Sequence, residues 1–99
     1  MPRFDLYRRR GGPGYLLDVQ ADHLYPLPSR VVVPLLPPTP SLPAIRDLTP
    51  LLTVEGEALA MMTHFLAAVP KRELGRPVGN LLAEHDAIVR ALNMLLTGF

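Results

Sequence analysis

The chain has 99 residues, with 10 Lys+Arg against 9 Asp+Glu for a formal charge of +1, and it has no cysteine. That length allows one compact domain over residues 1–99 and is too short for two domains of ordinary size. The near balance of charge excludes a globally basic nucleic-acid or membrane-surface binder, and the missing thiols exclude disulfides and cysteine nucleophiles.

His23, His64 and His85 lie too far apart in sequence to form a metal motif. Asp5 falls where a signal peptide would need its apolar core, and no apolar run approaches ~18 residues. A soluble cytoplasmic protein is therefore expected, with no metal, no cofactor and no membrane partner. The 12 prolines are costly inside helices and central strands alike, which favours a mostly β chain with many turns over a helical bundle.

In chain order, Phe4 and Leu6 alternate with Asp5 and Tyr7 at the period of a half-buried strand, and Gly11, Gly12, Pro13 and Gly14 then mark a connection. Residues 15–20 resume extended character until residues 22–28 break it. Residues 30–36 form a β-branched run of the kind a buried strand uses. Three antiparallel strands are thus placed.

Proline recurs at 34, 37, 38, 40 and 43, removing backbone donors and biasing the chain toward polyproline II. Residues 34–43 read as a stiffened crossover loop and not as a ladder strand. A proline-rich ligand for an SH3-like partner would want a flanking basic anchor, which is missing. Residues 51–54 and 58–62 flank Glu55, Gly56 and Glu57, where glycine can supply the positive φ of a hairpin. These are the fourth and fifth strands, and a short apolar segment at 67–70 follows.

After polar residues 71–77 the period becomes helical. Leu81, Leu82, His85, Ile88, Val89, Leu92 and Leu96 share one face, Asn80 is the expected N-cap and Gly98 the expected stop. Glu84, Asp86 and Arg90 fall on the other face, with Asp86 and Arg90 spaced for an i, i+4 pair. His85, on the apolar stripe, is read as a packed neutral imidazole with one hydrogen bond.

No catalytic constellation emerges. Ser29 and Ser41 sit beside prolines without a glycine-flanked elbow, and Gly11 to Gly14 join two strands, not a strand and a phosphate-binding helix. Two features remain. Arg8, Arg9 and Arg10 form the one dense cationic cluster, suited to phosphates or an acidic peptide unless it is simply a solvated loop. Residues 94–99 keep apolar side chains all around the last helical turn, which implies cover by a second subunit, by a partner, or by the chain's own sheet.

With these residues in view, the whole chain resembles the CcdB family of toxins. Leu17, Asp18, Val19, Gln20, Ala21 and Asp22 look like the family's second strand, and Arg30, Val31, Val32, Val33, Pro34 and Leu35 like its third. Met61, Met62 and Thr63 with Ala67, Ala68, Val69 and Pro70 resemble the central hairpin and its exit. Leu74 and Gly75 lead toward the last helix. Ala91, Leu92, Asn93 and Met94 with the terminal Gly98 and Phe99 resemble the ending.

The resemblance implies an SH3-like barrel, of the kind shared with MazF proteins, made of an antiparallel sheet plus a small second sheet and one C-terminal helix. It implies a homodimer that binds the DNA gyrase A subunit and traps its cleaved-DNA complex without catalysing a reaction. Binding to nucleic acid would not be direct. By the same resemblance, Asn93, Leu96, Thr97, Gly98, Phe99, His23 and Leu24 would contact gyrase. A cognate antitoxin with a disordered C-terminal segment would neutralise the protein, with Arg8, Arg9 and Arg10 suited to that acidic wrapping segment. Thr97 departs from the pattern, which has tryptophan there. Two alternatives accompany this reading: a degenerate member that keeps fold and antitoxin binding without gyrase poisoning, and a MazF-like ribonuclease.

Overall fold

The computed structural model describes residues 2–42 and 44–98. Seven strands form one hydrogen-bonded antiparallel sheet: β1 (Asp5–Arg8), β2 (Tyr15–Asp18), β3 (Ser29–Leu36), β4 (Leu51–Val54), β5 (Glu57–Met61), β6 (Ala67–Pro70) and β7 (Gly79–Asn80). Their order is β4-β5-β3-β2-β1-β7, with β6 also paired to β3, and α1 (His85–Thr97) follows. This is the expected architecture, a mostly β half-barrel closed by one C-terminal helix. The expected small second sheet corresponds to the β4–β5 hairpin, which joins the main sheet through only two residue pairs, Leu35 with Met61 and Leu36 with Ala60.

Strand periodicity sorts the side chains. One face carries Phe4, Leu6, Tyr15, Leu17, Val19, Val33 and Leu35, which pack with Ile88, Ala91 and Leu92 of α1 in the principal core. The opposite face carries Asp5, Tyr7, Asp18, Gln20, Arg30 and Val32, all buried as well. A sheet with polar residues at buried positions on its second face must satisfy them internally. It does so around an ion pair. Arg30 Nε donates to Asp18 Oδ2 at 2.7 Å and Nη2 to Oδ1 at 3.0 Å, with both side chains 0% exposed.

Several sequence expectations hold closely. Glu55 and Gly56 both have positive φ, 51° and 81°, so the β4–β5 turn is the two-residue mirror-image type that matches strand twist. Gly98 ends α1 in the left-handed conformation at φ 81°, and its N–H donates to the carbonyls of Asn93 and Met94.

Others need correction. Pro34 belongs to β3, in register with Leu16, and not to the crossover loop. It is tolerated because its backbone faces the outer edge of β3, at the point where the partner changes from β6 (pairing Ser29 to Val32) to β5 (pairing Leu35 and Leu36). There its carbonyl accepts from Met62 N at 2.9 Å, and no donor is needed. Beyond Leu36 the proline segment is a loop as read, with Pro43 outside the described residues.

Asn80 is not the N-cap of α1, a position that Glu84 takes. Asn80 Oδ1 accepts from Leu82 N at 2.8 Å and so opens a single 3-10 turn, Leu82–Glu84, after which α1 begins at His85. Its amide meanwhile donates to the Arg3 carbonyl and to Asp5 Oδ1, fastening the helix entry to β1. Phe4, at φ 73°, holds a conformation rare for a bulky residue, fixed by Phe4 N to Asp18 O at 2.6 Å and Leu81 N to Phe4 O at 2.9 Å.

The apolar helix stripe is buried only in the middle. Leu82 is 63% exposed and Leu96 68% exposed. His85 is half exposed, edge-on to Phe4 with centroids 5.8 Å apart, and its Nδ1 lies 2.9 Å from Asp86 Oδ1. Asp86 therefore pairs with its neighbour and not with Arg90.

The ion pair predicts a specific stability pattern. Asp18→Asn strands the Arg30 charge in the interior and is expected to lower urea-unfolding stability by about 3–5 kcal/mol, whereas the double variant Asp18→Leu, Arg30→Met recovers most of that loss. Equal destabilisation of both would show that the pair is not balanced by desolvation.

Candidate functional site

Two separate surfaces collect the residues singled out from the sequence. The first is the end of α1. Asn93, Leu96, Thr97 and Gly98 are all exposed there, and Phe99 lies outside the described residues. Thr97 Oγ1 donates to the Asn93 carbonyl at 2.6 Å, so its hydroxyl proton is spent on its own helix. The large apolar side chain exposed at the tip is Leu96.

The second surface begins at the end of β1. Arg8, Arg9 and Arg10 do not act alike. Arg9 Nη1 donates to the Pro13 carbonyl at 2.7 Å, and Arg9 N to the Gly14 carbonyl at 3.3 Å, which closes the loop on itself. Gly14 is required at φ 96°: a Cβ there would lie 2.1 Å from the Leu35 carbonyl oxygen. Arg8 stacks on Tyr15 with its guanidinium carbon 5.7 Å from the ring centroid. Arg8 and Arg10 together line a cleft of about 270 Å³ whose other walls are Leu16, Val69, Glu73 and Leu74. Beneath it, Leu16, Val69 and Leu74 pack with Tyr7 and Val32 in a second hydrophobic cluster.

His23 and Leu24 sit on a 3-10 turn, Asp22–Leu24, and are exposed beside Tyr25 and Leu27. The buried network places this loop. Gln20 accepts from Val31 N at 2.9 Å and donates to the carbonyls of Ser29 (3.2 Å) and Leu24 (3.4 Å), while its backbone N–H donates to Asp18 Oδ1 at 3.0 Å. From the other side, Lys71 Nζ donates to the Tyr25 carbonyl at 2.5 Å and Lys71 N to the Pro28 carbonyl at 2.8 Å. Among the described residues no hydrogen bond or ion pair joins this loop to the end of α1. Within one chain, then, the expected gyrase residues fall into two groups.

Sequence reasoning missed Leu16, Val69, Glu73 and Leu74 as companions of the arginines. A usable signal was present: six of the chain's ten cations lie at positions 8–10 and 71–76. Among the described residues no group of three His, Asp or Glu side chains could hold a metal ion, and no helix is long and apolar enough to cross a membrane.

An antiparallel half-barrel followed by one C-terminal helix defines a small, mostly β protein. The family described as CcdB protein matches residues 3–98, and the chain belongs to that family. Membership implies the toxin of a toxin–antitoxin pair, one that acts by binding and not as an enzyme. Gyrase and an antitoxin are the partners it implies in general terms. No curated protein matches the chain at a significant level.

Tyr7, buried beneath the cleft, carries a pH signature. Burial, and then the nearby Asp5 and Asp18 carboxylates, push the Tyr7 phenol up from 10.0 to about 12, against a smaller opposing effect of Arg30. The folded value exceeds the unfolded one, so the neutral phenol's contribution is complete below pH 10 and is lost as pH rises toward 12. Urea midpoints measured across that window should fall less steeply for Tyr7→Phe than for the wild type; parallel curves would contradict the assignment.

Proposed function

We propose that the chain is a cytoplasmic gyrase-directed toxin, active as a homodimer, whose paired helix ends enter the dimer cleft of the gyrase A subunit and trap the cleaved-DNA state. The observation that carries this reading is the exposed end of α1, where Leu96 is 68% exposed near the left-handed Gly98, in a chain matched to the family over residues 3–98. Apolar surface of this kind at a helix end is stabilised by burial against a partner. Asn93, Leu96, Thr97, Gly98 and Phe99 supply the tip contacts, and His23 and Leu24 the lateral ones. The antitoxin's disordered C-terminal segment occupies the arginine face, where Arg8 and Arg10 grip it and Arg9 holds the loop in shape. The family match decides against the ribonuclease alternative.

Thr97 supports a second reading, a member that keeps fold and antitoxin binding without gyrase poisoning. Its hydroxyl is turned onto Asn93, and it has no π face for the stacking that a tryptophan would offer. Truncating a buried tryptophan hot spot typically costs at least ~2 kcal/mol.

Supercoiling and DNA-cleavage assays with purified gyrase separate the two. The toxin reading predicts inhibition by the wild type at micromolar dimer and at least roughly tenfold stronger inhibition by Thr97→Trp. No inhibition by the wild type but clear inhibition by Thr97→Trp selects the second reading, and inhibition by neither sinks gyrase as the target.

A further inference from the structure

The loop that presents His23 and Leu24 also exposes Tyr25 (60%) and Leu27 (45%). Its second half is Pro26, Leu27 and Pro28, so Leu27 supplies the one backbone donor there. Three N–H bonds close short turns within the loop: Leu24 to the Ala21 carbonyl, Tyr25 to the Asp22 carbonyl and Leu27 to the Leu24 carbonyl. Such turns shape a loop without fixing where it sits against the domain. Side chains from outside do that, at successive carbonyls: Gln20 Nε2 on Leu24 at 3.4 Å, and Lys71 Nζ on Tyr25 at 2.5 Å from 46 residues away. The two are unequal, because the Gln20 contact is long and neutral whereas the ammonium contact is short and charge-assisted.

Lys71, the chain's one lysine, stands on a rigid base. Its N–H donates to the Pro28 carbonyl at 2.8 Å, and its own carbonyl accepts from the N–H of the buried Leu74 at 3.1 Å. We infer that Lys71 is a positioning residue for the 22–28 loop: its ammonium, anchored at the end of β6, holds the Tyr25 peptide and with it the outward presentation of Leu24, Tyr25 and Leu27. The loop's use against gyrase rests on the reading above, whereas its positioning does not involve gyrase. A loop ordered before encounter loses less conformational freedom on binding, so removing the ammonium weakens target contact without touching the contact residues. The Pro28 bond comes from the Lys71 backbone and survives such a change, so the loop loosens at Tyr25 and stays attached.

Hydrogen exchange of the full-length protein, read at the amides of Leu24, Tyr25 and Leu27, is the deciding test. Lys71→Met, similar in length but uncharged, should speed exchange there at least roughly fivefold, with the amides of β3 and the thermal midpoint as in the wild type. Lys71→Arg should restore most of the protection, and Arg72→Met, one residue on in the same turn, should leave it unchanged. A second arm combines Lys71→Met with Thr97→Trp in the supercoiling assay, where inhibition should fall by a similar factor relative to Thr97→Trp alone. Unchanged loop exchange in Lys71→Met would overturn the inference. So would faster loop exchange with undiminished inhibition, or a lowered midpoint with faster exchange throughout the sheet, which would make Lys71 a residue of general stability. If no variant inhibits gyrase, the target reading fails, and the exchange arm still decides whether Lys71 holds the loop.

Discussion

Asp18 and Arg30 form a fully buried ion pair on the face of the sheet that the helix does not cover, and the arrangement of the binding surfaces depends on it. Two charges removed from water are stabilised only by close geometry and further hydrogen bonds. The further bonds come from the backbone around them: Asp18 Oδ1 accepts from Gln20 N, and Arg30 Nη2 reaches the Gln20 carbonyl at 3.4 Å. Gln20 thereby acquires one orientation, and its amide holds the carbonyls of Leu24, within the loop that presents His23 and Leu24, and of Ser29, just beyond it. A buried charge pair thus sets the position of an exposed loop.

The sheet's two faces serve different ends of the molecule. On one, the aliphatic core holds the middle of α1, so the last turn projects with its apolar side chains unburied within the chain. On the other, the polar network and the smaller cluster of Tyr7, Val32 and Leu74 support the arginine cleft. Lys71 bridges this second face, bonding to the 22–28 loop at Tyr25 and Pro28 while its neighbours Glu73 and Leu74 wall the cleft. The tip and the cleft therefore present two distinct chemistries, one apolar and one cationic, suited to different partners.

Much of this was legible in the sequence. The first strand, the β-branched run of β3, and the Glu55-Gly56 turn follow from local physics, and the structure keeps them, although Phe4 lies just outside β1 and Asp5 and Tyr7 are buried where a half-buried strand would expose them. Pro34 misled because a proline is acceptable wherever the ladder leaves its nitrogen unpaired, and that depends on where β6 gives way to β5, a tertiary fact. The helix stripe misled at its ends because a 3.6-residue period marks an apolar face without saying how far the sheet beneath it extends. Asp18 and Arg30 carried no local sign of pairing, since they lie on neighbouring strands separated by a loop. The arginine cluster was visible, but Val69, Glu73 and Leu74, which complete its cleft with Leu16, come from chain more than fifty residues away.

The central claim is that the end of α1 and the 22–28 loop together meet the gyrase A subunit. Hydrogen-exchange protection of the full-length protein, measured free and bound to gyrase A, tests it most directly. The account predicts new protection confined to residues 22–28 and 93–98, with the amides of residues 8–14 and 71–76 unchanged. Protection of the arginine cleft, with the helix end still exchanging freely, would contradict it.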